Sequence, residues 1–253
     1  MLEHTFPTPL PVTLDVSIPS GTIEVETVDG EQTSLVVDGD ERMLEHVDVH
    51  HEGSRVVVKL RDKSKLGFSF SLGSVFGSGG IRVEARVPHG AGVRVKTASA
   101  DTEVSGHLQT LEVNSVSGDV QVKGQVAEDA TVKTVSGDVE LERVAGDVVV
   151  QTVSGDLRAR AVAGSVEAKS VSGDIRLDSL TAGDVRFNSV SGDIEIGIAQ
   201  GSFLDVDAGS TSGDLASEVP LASEPPAGEV AESPTVVLRG RTVSGDVRVF
   251  RAG

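Results

Sequence analysis

The sequence predicts an all-β chain wound into a single-stranded β-solenoid, with coils of about 18–19 residues. Three observations carry that reading. Ser-Gly-Asp occurs seven times, ending at Asp119, Asp138, Asp156, Asp174, Asp193, Asp214 and Asp246, and a degenerate copy, Ser99-Ala100-Asp101, precedes them. Counted from Asp101, the spacings are 18, 19, 18, 18, 19, 21 and 32. Apolar and polar residues alternate with period two after each Asp, and again before each Ser, which marks two strands per repeat, each with one buried face.

The elements follow in chain order. Val12, Leu14, Val16 and Ile18 alternate as a first strand, and residues 20–25 read as a divergent first unit that leaves through residues 27–30. Strands are expected over residues 55–60 and 81–87. Residues 66–80 are rich in Gly and Ser and carry Phe68, Phe70 and Phe76. A solenoid needs its open end covered, so this stretch is expected to cap the first coil. Residues 1–92 thus form an N-terminal β region that caps and starts the solenoid. Residues 93–253 form the repeat, and the two make one continuous domain.

Within the repeat, the residue after each Asp is Val120, Val139, Leu157, Ile175, Ile194, Leu215 or Val247, and polar residues such as Gln121, Glu140 and Arg176 follow. Before the Ser, Val113, Val132, Val150, Ala168 and Phe187 share parity with a Ser/Thr column that includes Ser115, Thr134 and Thr152. Both columns are therefore expected to point inward, the hydroxyls forming an internal ladder. A weaker corner, as in Val144-Ala145-Gly146-Asp147-Val148, lies midway through each unit. Gly supplies the positive φ that such corners need, and Asp can bond nearby backbone N–H groups of its own turn. Residues 217–234 hold four prolines and four glutamates with no basic residue, and read as an acidic loop. The pattern resumes at Thr235 and completes one more unit, with Phe250 expected to plug the C-terminal end.

One unit cannot bury its apolar face alone, and stacking does so at about 4.8 Å per coil. Propeller blades need some 40–45 residues, and the corner is not a two-residue hairpin turn. Right-handed winding is expected by analogy with crossover connections.

Composition excludes whole classes of function. The 253 residues carry 22 Lys and Arg against 39 Asp and Glu, a formal net charge of −17, which repels phosphate backbones and argues against nucleic acid. Without Cys there is no disulfide framework, thiolate zinc site or cysteine nucleophile. No apolar run approaches the roughly 18 residues of a spanning helix, and the N-terminus has no basic start or apolar core of a leader. No membrane insertion is expected, and the sequence by itself reads as cytoplasmic. Sugar clefts of solenoid enzymes usually offer Trp or Tyr platforms, and this chain has neither.

The repeated Val-Ser-Gly-Asp-Val, preceded by residues 81–88 and by Val93-Arg94-Val95, resembles a bacterial β-strand-repeat family of putative adhesins, a domain of unknown function. The resemblance runs from about Val12 to Val249. It implies a β-solenoid, often tied to the cell envelope, and supplies no catalytic residues.

Candidate chemistry is sparse. The corner column Asp119, Asp138, Asp156, Asp174 and Asp193 stacks carboxylates that a cation such as calcium could bridge. The competing expectation is that each Asp caps its own turn. His46, Asp48 and His50 alternate along a strand and could offer a zinc site; the bland alternative is a solvated face. No phosphate loop, G-x-S-x-G or H-E-x-x-H is present. The expected function is a non-enzymatic structural or interaction module, adhesin-like, that binds a protein or cell-envelope component without a cofactor. The alternatives are a carbohydrate-active solenoid enzyme and a calcium- or metal-loaded binding module.

Overall fold

The structure is a computed structural model and describes residues 1–61, 80–219 and 234–252. The first part of the chain forms β1 (Leu2–Pro7), β2 (Thr13–Val28), β3 (Gln32–Asp38), a one-turn helix α1 (Glu41–Leu44), β4 (Val47–Glu52), β5 (Arg55–Leu60) and β6 (Ile81–Pro88). A long bent strand, β7 (Ala91–Asn114), opens the repeat. Short strands then alternate with corners: β8 (Val120–Val126), β9 (Ala130–Lys133), β10 (Val139–Val144), β11 (Val148–Gln151), β12 (Leu157–Val162), β13 (Val166–Lys169), β14 (Ile175–Leu180), β15 (Gly183–Ser191) and β16 (Ile194–Ile198). The chain finishes with β17 (Phe203–Ser212), β18 (Leu215–Ser217), β19 (Thr235–Ser244) and β20 (Val247–Arg251).

Parallel pairing winds these strands around one axis, as the period predicted. Strands that leave a Ser-Gly-Asp corner stack on one side, β8 on β10, β12, β14 and β16 in turn. Strands that enter the next such corner stack on the other side, β9 on β11, β13 and β15. The register equals the repeat: Val139 lies on Leu157, Ile175 on Ile194 and Val148 on Val166. Alternation then sends one column in and the next out. Ile175 and Leu177 are buried and Arg176 between them is exposed. The Val113, Val132, Val150, Ala168 and Phe187 column is also buried, and the core is continuous along the rod.

Stacking order departs from chain order at both ends. At the N-terminal end, β2 lies between β7 on one side and β5 and β6 on the other, so the first coil of the chain is the second layer of the parallel stack. At the other end, β19 is inserted between β15 and β17, and β20 between β16 and β18. The unit expected to complete the C-terminal end is therefore an inner coil. Side-chain volume supplies a reason. The Phe187 ring is fully buried in a column of smaller residues and lies opposite Gly240. A Cβ on Gly240 would sit 2.6 Å from the ring carbons. Gly240 thus gives Phe187 its room, and Ala208, with a methyl group, takes the next layer out.

Phe250 accordingly does not plug the end. It faces outward, half-buried, opposite Gly197, and the Arg176 guanidinium lies 5.9 Å from its ring centroid. The outermost coil buries Leu204 and Val219 and leaves Leu215 46% exposed. Residues 217–219, expected to begin a loop, belong to the fold: the Ser217 hydroxyl donates to the Val219 carbonyl at 2.8 Å, and Val219 is buried. The remainder of the predicted acidic loop, 220–233, lies outside the described residues.

Antiparallel strands close the N-terminal end. β3 pairs with β6, β1 with β3, and β4 with β5. Leu2, Phe6, Met43 and Leu44 pack against the core there, and the Phe6 ring meets His51 at 5.7 Å. Phe68, Phe70 and Phe76, the expected cap, lie outside the described residues.

Candidate functional site: the Ser-Gly-Asp ridge

Five of the seven Ser-Gly-Asp corners are closed from inside by a hydroxyl; the Ser170 and Ser210 hydroxyls of the same column make no such bond. The Thr134 hydroxyl points inward and donates to the Ser136 carbonyl at 3.0 Å, and Ser115, Thr152, Ser189 and Thr242 do the same to Ser117, Ser154, Ser191 and Ser244. These inward hydroxyls match the parity read from the sequence. The glycine is required twice over. Gly137 has φ of 121°, and a Cβ there would lie 2.3 Å from the Gly118 carbonyl oxygen of the coil before.

The aspartates bond between coils rather than within their own turns. The Asp119 carboxylate accepts the Asp138 backbone N–H at 2.9 Å, Asp138 accepts from Asp156 at 2.8 Å, Asp156 from Asp174 at 2.8 Å and Asp174 from Asp193 at 2.8 Å. The chain of bonds continues from Asp193 to Asp246 and then to Asp214, in stacking order rather than sequence order. The own-turn cap is thereby corrected. In a parallel stack the N–H one coil along lies closer to the carboxylate than any in its own corner. A charged acceptor on each N–H also offsets the repulsion between neighbouring carboxylates.

Beside this row runs a feature that the sequence reading left without a face. Val116, Val135, Val153, Val171, Val190 and Val243 precede the corner serines and point outward, each 46–52% exposed. They are six of the nine exposed large hydrophobic residues among the described residues, so the exposed apolar surface is concentrated in one stripe. The signal was present in the sequence: if the Ser/Thr column points in, its neighbour must point out. On the far side of the valines another outward row stacks Asn114, Lys133, Gln151, Lys169, Asn188 and Arg241. Every member carries N–H donors. Across the ridge the rows run donor, valine, serine, aspartate.

The other sequence candidates are placed differently. The His46 imidazole Nδ1 lies 2.9 Å from the Arg42 carbonyl oxygen, away from the Asp48 carboxylate. Asp48 is 3.0 Å from Arg61, 3.7 Å from Lys59 and 3.6 Å from His50. The Arg61 hydrogen bond holds the Asp48 carboxyl below its ordinary range. Among the described residues no three His, Asp or Glu side chains are arranged to hold a metal ion.

Ion pairs brace neighbouring coils away from the ridge. Arg94 donates to Glu112 at 2.7 Å and Arg160 to Glu140 at 2.7 Å, and both carboxyls are held below the usual range by those bonds. Burial pushes the Asp178 carboxyl up, but bonds from Arg158 and Arg176 outweigh it and leave it lowered. No helix among the described residues is long and apolar enough to cross a membrane.

Solved structures share this architecture. A protein from Parabacteroides distasonis described as a putative lipid binding protein superposes with a TM-score of 0.63 at 13% identity, over 99% of this chain and 96% of its own. A Bacteroides fragilis protein described as a putative adhesin gives 0.56 at 15% identity, over 98% and 96%. A second P. distasonis protein with the same description gives 0.51 at 10% identity, over 98% and 96%. At such identities the likeness is one of fold. No curated protein matches the sequence. The family model described as Toastrack DUF4097 matches residues 12–250, and with coils, corners and core in place over that span the chain belongs to this family of unknown function.

Proposed function

We propose that the chain is a non-enzymatic interaction module of the adhesin type, and that the Ser-Gly-Asp ridge is its contact surface for a protein or cell-envelope partner. One observation carries the reading. A folded chain seldom gathers its exposed large apolar side chains into a single line, and contiguous apolar patches rimmed by polar groups mark interaction sites. Here the line is rimmed by amide and ammonium donors on one side and by hydroxyls and carboxylates on the other. The descriptions of the structural neighbours, two putative adhesins and one putative lipid binding protein, point toward binding rather than catalysis. The excess of acidic residues disfavours a phosphate-rich partner.

The test is co-sedimentation of the purified chain with an envelope fraction of the source cell. The variant carrying Val135→Lys and Val171→Lys places two charges in the apolar row without touching the core. Binding by the wild-type chain should fall at least several-fold in this variant. Equal binding by the two chains would remove the ridge as the contact surface.

A further inference from the structure

The rows of the ridge are complementary to themselves in one orientation. We infer that the ridge binds a second copy of this chain, the two rods lying side by side with parallel axes and a two-fold axis running along the valine row. The inference rests on the reading of the ridge as a contact surface and names its partner.

The order of the rows sets the orientation. Seen from outside, donors lie on one side of the valines and carboxylates on the other. Turning a second copy over about the line of the valines keeps valine on valine and exchanges the flanks. Asn114, Lys133, Gln151 and Lys169 of each copy then lie over the serine row of the other, with its Asp row next beyond and within reach of the longer side chains. One oxygen of each aspartate accepts the N–H of the adjoining coil, as with Asp138 and Asp156, and the second oxygen remains for a donor from outside. Turning the copy end over end instead sets donors on donors and carboxylates on carboxylates, which is repulsive. The ridge therefore selects parallel over antiparallel pairing. Rungs match along the whole contact, because both rods rise by the same inter-coil spacing.

Three of the donors have local partners: the Asn114 amide donates to Glu112 at 3.1 Å, Lys169 rests on Glu167 and Arg241 on Asp207 at 3.5 Å. The two ion pairs are exposed and exchange at little cost, whereas the Asn114 bond is partly buried and leaves that rung the weakest. The valine row spans five inter-coil steps from Val116 to Val243, about 24 Å. So narrow a contact belongs to the small end of protein interfaces, below about 1,200 Å² in total. The dimer should accordingly be weak and concentration-dependent. The overall acidity of each chain opposes it at long range, where salt screens the repulsion.

The chain has no cysteine, which makes the orientation measurable. Val116→Cys and Val243→Cys lie at opposite ends of the row, and both sites are exposed. With a short thiol-specific cross-linker, the parallel dimer predicts that each single-cysteine chain links to itself. Mixtures of the two chains should give little mixed product. Mixed product in place of self-linked product would establish antiparallel pairing and overturn the inference. Sedimentation velocity from low micromolar to near-millimolar protein should show the wild-type chain dimerising and the Val135→Lys, Val171→Lys chain remaining monomeric. A wild-type chain that is monomeric throughout also overturns it. Should that variant unfold, the cross-links alone decide. The two readings separate cleanly. A monomer whose envelope binding still falls in the valine variant retires only the self-association. A parallel dimer whose valine variant binds envelope undiminished retires only the envelope contact.

Discussion

A corner aspartate does two things at once: it crowds a row of like charges, and it ties its coil to the next. Asp156 shows the balance, because its carboxylate accepts the Asp174 N–H at 2.8 Å while Asp138 and Asp174 stand one coil away on either side. Asp156→Ala removes that acceptor and should destabilise by about 0.5–2 kcal/mol, by analogy with helix caps. Asp156→Asn keeps an acceptor oxygen, lowers the crowding, and should cost less. The amide that exchanges faster with solvent in the alanine variant should be that of Asp174, not of Asp156, and hydrogen exchange read by NMR checks it. If a cation held the row instead, Asn would hurt as much as Ala, and a chelator would lower the melting temperature of the wild-type chain. The sequence made the Asp column plain and misplaced its bond. A period of 18 or 19 residues puts the same N–H types within and between corners, and only the stacking distance separates them.

Strands were the most legible elements. Period-two columns named the buried side chains of β8 to β16, because a one-residue slip would expose every one of them. The outward valines followed from the same parity, yet a column of valines reads as core until its neighbour is known to be buried. What the columns do not show is how outward charges pair across coils. Glu140 is bonded by Arg160, which is 20 residues away in sequence, and by Gln121 from the coil before. Its carboxyl, with those of Glu112 and Asp178, is held below the unfolded value. A depressed folded pKa gives stability that is present above the unfolded pKa, about 4, and lost as pH falls through the folded one. The denaturation midpoint should therefore hold above about pH 5 and decline as the pH falls below it. Glu140→Gln should flatten that decline while lowering the midpoint slightly at neutral pH, since exposed pairs contribute little each. A decline of unchanged steepness in Glu140→Gln would show that this pair does not contribute to it.

At the scale of the rod, the chain does not end where the solenoid ends. Sequence columns assign a residue to a layer position but not to a layer, so the 32-residue interval between Asp214 and Asp246 reads as an insertion before one last coil. The structure instead places that coil inside, where Gly240 accommodates Phe187 and the Asp246 N–H bonds the Asp193 carboxylate. β17 and β18 then depend on strands that come after them. β17 pairs in parallel with β19 and β18 with β20, and neither pairs with the coil before it in sequence. A chain shortened to end at residue 219 makes the consequence measurable. In a solenoid stacked in chain order, losing the final unit would leave residues 203–217 seated on β15 and β16. In this one it removes the layer to which they are bonded. Hydrogen exchange should show β17 and β18 losing protection, with β8 to β14 retaining theirs, because repeat stability is a sum over neighbouring layers. β15 and β16 should be intermediate, since each loses one of its two partners. Full protection of residues 203–217 in the shortened chain would mean that β17 and β18 can stack directly on β15 and β16, and that Gly240 does not dictate the order of layers.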